Sequence, residues 1–96
     1  MKSINDINNA LELVEKEIKN NFNAYTRTLK IVLKNCRDVA VSVSNDKRKL
    51  NKNEFETITF ARGYISAYLW NLRETNGNKD FSDLLEIAEN SIYNLR

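Results

Sequence analysis

Residues 50–77, LNKNEFETITFARGYISAYLWNLRETNG, decide the fold. Asn51 is a cap residue, and Glu54 three positions on is the returning half of a capping box. Leu50 before the cap and Phe55 at the fourth helical position have the spacing of a hydrophobic staple. Phe55, Ile58, Ile65, Leu69 and Leu72 then share one helical face to about Thr75, and Gly77 stands where a left-handed residue would stop the helix.

Upstream, Asp46-Lys47-Arg48-Lys49 reads as a connecting loop, preceded by Ser44 and Asn45. Before it, Tyr25, Leu29, Val32, Cys36, Val39 and Val43 recur at steps of three and four, the stripe of a second helix. Val39, Val41 and Val43 also alternate with Ala40, Ser42 and Ser44 as a strand would, but no partner strand of similar pattern exists. Further back, Ser3 is a candidate cap, with Asp6 placed to meet the helix dipole. Ile4, Ile7, Leu11, Val14 and Ile18 follow on one face. Asn20, Asn21 and Asn23 either end this first helix or mark a weak spot in a longer one. Downstream, a last helix opens at Asp80 or Ser82 and carries Phe81, Leu84, Leu85, Ala88, Ile92 and Leu95 on one side.

The expected fold is all-α: a three- or four-helix bundle with an antiparallel helical hairpin (about 22–45 and 51–75) and a C-terminal helix, forming a single domain over 1–96. Composition agrees. The chain has no Pro and only Gly63 and Gly77, too few for the corners of a sandwich or barrel. Hydrophobic residues at 42% and charged residues at 29% suit a folded protein and exclude a disordered one.

No stretch reaches the roughly 20 apolar residues of a membrane span. MKSINDINNA has no apolar run after its basic residue, unlike a secretory signal. Cys36 is alone and cannot form an internal disulfide, so the expected compartment is a cytoplasm. Asn is the commonest residue, and Lys and Ile are frequent. Their AT-rich codons fit a low-GC bacterium or its phage.

Catalysis is not expected. The chain lacks His, the commonest general base and metal ligand. Cys36 lies on the apolar stripe, no Gly-rich phosphate loop exists, and Asp83, Glu86 and Glu89 read as a solvated face. No cofactor and no metal are expected.

The net charge of +2 conceals blocks: residues 1–20 carry −1, residues 21–52 carry +6 and residues 53–96 carry −3. Within the basic block Arg27, Lys30, Lys34 and Arg37 follow at steps of three, four and three. They line one face of the second helix, opposite its apolar stripe. Lys47, Arg48, Lys49 and Lys52 extend it. Such a face suits phosphates or an acidic partner; alternatively it is a solvated face paired with the acidic helices of the same molecule.

A second face of the third helix carries Phe60, Gly63, Tyr64, Ala67 and Trp70. Its first reading is a packing contact with the first or last helix; the other is an exposed patch with hot-spot composition. Arg62, inside the main stripe, either reaches the edge with its stem packed or pairs with a neighbouring carboxylate.

Leu50 to Phe55 resembles the start of the second helix in the lambda-repressor-like helix-turn-helix family. Tyr68 to Leu72, followed by Phe81 to Ala88, resembles that family's recognition helix and the helix after it. The resemblance touches about a third of the chain and implies that Ser66, Ala67, Asn71 and Arg73 face DNA. The same region is also periodic straight through from Phe55 to Leu72, as one uninterrupted helix would be.

The function expected from these residues is a protein-binding module, an inhibitor or adaptor from a phage or mobile element acting on a host protein. Its partner would have an acidic surface, with Phe60, Tyr64 and Trp70 as further contacts. The alternatives are a nucleic-acid-binding regulator and a scaffolding subunit. The latter would assemble, as a homodimer for instance, through the heptad-like stripes of the first two helices.

Overall fold

The computed structural model describes residues 2–20, 22–75, 77 and 79–95. Among them lie four helices and no strand: α1 (Lys2–Asn20), α2 (Ala24–Asp46), α3 (Lys52–Glu74) and α4 (Lys79–Tyr93). Each helix packs on its neighbour in the chain, and α4 closes back onto α1, giving a four-helix bundle of 39 × 20 × 20 Å. The short connections make successive helices antiparallel.

The Asn-rich segment is a true break. The Asn23 side chain accepts hydrogen bonds from the backbone N–H groups of Tyr25 and Thr26, both at 2.9 Å, while Thr26 Oγ1 accepts from the Asn23 N–H at 3.2 Å. This is a capping box with Thr as its returning half, and it starts α2 afresh. The cap predicted for α3 forms as expected, with Asn51 accepting from Glu54 N–H at 2.8 Å and Glu54 from Asn51 N–H at 3.0 Å. Leu50 packs on the core, whereas Phe55 stays largely exposed.

α1 begins at Lys2, so Ser3 lies inside its first turn; the Ser3 side chain is outside the described residues. Asp6 sits a turn further on and accepts a 2.6 Å hydrogen bond from Ser91 Oγ of α4, tying the two ends of the ring together. The left-handed residue expected at Gly77 is found instead at Lys47, with φ 50 and ψ 46 after α2; no glycine has positive φ. Gly77 serves α3 through space. Its N–H donates to the Leu72 carbonyl at 2.8 Å, and a Cβ there would run into the Leu72 side chain.

One continuous core draws on all four helices. Ile7, Leu11 and Val14 of α1, Ile58, Ile65 and Leu69 of α3, and Phe81, Leu85 and Ile92 of α4 are buried as their spacing predicts. The buried arc of α2 differs. It consists of Thr26, Leu29, Val32, Leu33, Cys36 and Ala40, whereas Tyr25 is 71% exposed and Val39 and Val43 are only partly buried. At about 100° per residue the arc is turned by roughly 50° from the predicted stripe. The cause is unequal neighbours: α2 packs most extensively on α1 and least on α3, so it turns towards α1.

α3 is one uninterrupted helix from Lys52 to Glu74, and the turn that a helix-turn-helix motif needs is absent from it. No helix is long and apolar enough to cross a membrane among the described residues.

Candidate interaction surface

The rotation of α2 sets the place of its basic residues. Arg27, Lys30, Lys34 and Arg37 lie not opposite the core but about 110° round from it. Arg27 and Lys34 stand in solvent, while Lys30 and Arg37 are half-buried, as long stems laid along a flank are. Pairing of these cations with the acidic helices of the same molecule does not occur among the described residues. Among the described residues Arg27, Lys30 and Lys34 form no salt bridge, and Arg37 meets only its chain neighbour Asp38 at 3.5 Å. An exposed pair of that length contributes little and leaves Arg37 available.

The loop is divided. Lys47 and Lys49 are exposed. Arg48 is held within the molecule: its guanidinium makes a two-pronged pair with Glu54, at 2.8 Å from Nη2 to Oε2. It also donates to Asp46 at 3.3 Å, Ser42 Oγ at 3.1 Å and the Lys49 carbonyl at 3.2 Å. The same Glu54 completes the α3 cap. Arg48 beside it, and then the Asn51 N–H, hold the Glu54 carboxyl down at about 2, and the Arg48 guanidinium is raised in turn. Arg48 therefore fastens the α2–α3 corner and is not a free cation of the ridge.

The α3 face with Phe60 and Trp70 is not a packing contact with α1 or α4. Phe60 is 66% exposed and Trp70 69%, Ala67 is exposed, and a Cβ added at Gly63 would meet nothing. The bundle closes through α1 and α4, leaving this side of α3 uncovered. Tyr64 differs from its neighbours. It is half-buried, its hydroxyl donates to the Tyr25 carbonyl at 2.9 Å, and its ring stacks on Phe60 with centroids 6.4 Å apart. It supports Phe60 more than it offers a contact of its own. Arg62 neither pairs with a carboxylate nor stands free: its guanidinium lies 4.1 Å over the Tyr93 ring, with a buried Nε that lacks a partner.

Two residues of this side were not predicted as contacts. Ile31 is half exposed, four residues after Arg27 and three before Lys34, so it borders the basic ridge on the side towards α3. It lines a groove of about 500 Å³ between α2 and α3, with Phe60 on the other wall. Tyr25, expected in the core, lines a second hollow of about 350 Å³ with Tyr64, Tyr68 and Leu72. Ile31's spacing was the available signal, since it stands about one turn from both Arg27 and Lys34.

Cys36 is wholly buried, and burial pushes its thiol up to about 12, so it is protonated at neutral pH. No group of three or more Asp, Glu or Cys among the described residues is arranged to hold a metal ion. Of the apolar stripes that a scaffolding subunit would present to its neighbours, Ile7, Leu11 and Val14 of α1 and Leu29, Val32 and Cys36 of α2 are turned into the core, whereas Tyr25 is exposed. Comparison with protein families, curated proteins and solved structures finds no match to this chain.

Proposed function

We propose that the chain is a non-enzymatic protein-binding module that meets an acidic partner surface with Arg27, Lys30, Lys34 and Arg37, flanked by Lys47 and Lys49. The observation that carries this reading is a ridge in which Arg27, Lys30 and Lys34 form no salt bridge among the described residues, bordered by an exposed Ile31. Unpaired charge steers an oppositely charged partner and loses little on binding, because no internal pair must first break. An exposed apolar residue beside a row of charges suits a protein interface, which combines apolar and polar contacts. A purely phosphate-binding face has no use for Ile31. A small helical product that occupies a host protein, as inhibitor or adaptor, would use such a surface.

The same cations would serve a nucleic-acid reading, and salt separates the two. Affinity for generic single- and double-stranded DNA and RNA is measured at low and at physiological salt. A nucleic-acid protein using three or four of these cations loses affinity with a log–log slope of about −3. Binding of that kind, abolished by Arg27→Glu with Lys34→Glu, would overturn the protein-binding reading. Absence of binding even at low salt supports it.

A further inference from the structure

We propose that the outer face of α3 is the seam of a reversible homodimer, in which two α3 helices pack antiparallel about Gly63. This face is separate from the α2 ridge and does not depend on its role.

Phe60, Gly63, Ala67 and Trp70 follow at steps of three, four and three, all exposed, so they form one stripe on the solvent side of α3. The two rings stand out on either side of a floor that has no Cβ at Gly63 and only a methyl at Ala67. A second helix lying there would set its own Phe60 against the partner's small residues, large against small.

Charge selects the occupant. Lys52 and Glu74 each lie eleven residues from Gly63, one towards each end of α3. Eleven residues are close to three whole turns, so both fall on the stripe's side, about 16 Å from its centre. Neither forms a salt bridge among the described residues. In an antiparallel pair each Lys52 stands beside the other copy's Glu74, twice over. A parallel pair would set Lys52 against Lys52 and Glu74 against Glu74.

The helix dipole adds to this choice. A cation at the first turn and an anion at the last oppose α3's own dipole. An antiparallel copy brings its negative end to Lys52 and its positive end to Glu74. Of the other charges of α3, Glu54 is taken by Arg48 and Arg73 by Glu86, while Glu56, seven residues before Gly63, also lies on the stripe's side and would face the other copy's Trp70.

Area sets the strength. With aromatic side chains of about 150–250 Å² each, two-thirds exposed, four rings contribute about 600 Å². That is about half of the lower bound of about 1,200 Å² for stable interfaces. A seam of that size makes a weak, concentration-dependent dimer.

Sedimentation velocity on the full chain, from micromolar to millimolar, tests this. A monomer–dimer equilibrium is expected. Lys52→Glu weakens it about tenfold by turning both pairs repulsive, and adding Glu74→Lys re-forms the pairs and recovers part of the loss, the dipole contribution staying reversed. Phe60→Ser with Trp70→Ser abolishes it while the circular dichroism spectrum is kept. A chain that stays monomeric at millimolar concentration overturns the proposal. So does a dimer indifferent to the serine pair, or a charge swap without recovery. None of these variants touches Arg27, Lys30 or Lys34, so the outcome leaves the ridge's role to its own test.

Discussion

Replacing Leu33 and Tyr25 separately by Ala distinguishes the buried arc of α2 from the stripe its spacing predicts. Leu33 is fully buried, so Leu33→Ala removes apolar contact and leaves a cavity among close-packed neighbours. Its cost is about 3 kcal/mol. For a chain of this length the unfolding entropy is about 0.2 kcal/mol per kelvin, so Tm falls by roughly 15 °C. Tyr25 is 71% exposed, and the bond from Tyr64 ends on its backbone carbonyl, which Ala keeps. Tyr25→Ala is expected to stay within about 0.5 kcal/mol of the parent, or some 2–3 °C. Urea and thermal melts followed by circular dichroism give both values. A Tyr25→Ala variant that loses as much as Leu33→Ala would refute the rotation of α2, and with it the flank position of the ridge.

Glu54 has a depressed carboxyl, so its contribution to stability is complete above the ordinary value of 4.5 and is lost as pH falls towards about 2. The Tm advantage of the parent over Glu54→Gln should be flat above pH 4.5 and shrink below it; an advantage unchanged at pH 2 contradicts the Arg48 clamp. Cys36 should resist a thiol reagent in the native protein at neutral pH and react once urea unfolds the chain, whereas rapid native labelling would mean that the thiol is not buried. Ser91→Ala removes the 2.6 Å bond to Asp6 and should cost about 1.5 kcal/mol in urea unfolding. An unshifted midpoint would show that this link does not close the ring.

Local signals were the legible ones. The Asn51–Glu54 box involves neighbours three residues apart and forms as its sequence predicts. The equivalent at Asn23 was less visible, because Thr26 fills the place where Glu or Gln is the familiar returning half. Gly77 is a stop for α3, but a steric one: its φ is not positive, and the missing Cβ makes room for Leu72.

What failed depended on neighbours. Which arc of α2 is buried follows from the unequal packing of α1 and α3 against it, and periodicity along α2 does not encode that inequality. The order of the cations was legible; their freedom from carboxylates was not, since it is a fact of tertiary distance. Arg48 illustrates this. It looks like part of the basic run, yet the α2–α3 corner turns it onto Glu54, six residues away. Likewise the aromatic face of α3 reads as a packing surface until the ring of helices closes through α4 and α1.

The most direct measurement is a nuclease-treated affinity capture from the native host, comparing the parent chain with a variant carrying Arg27→Glu, Lys30→Glu and Lys34→Glu. Far-UV circular dichroism serves as the control for folding. A ridge that recognises protein predicts one stoichiometric partner with an acidic surface, held by the parent and lost by the folded variant. The same captured proteins with both chains would contradict the ridge's role, and so would capture that vanishes with nuclease alone.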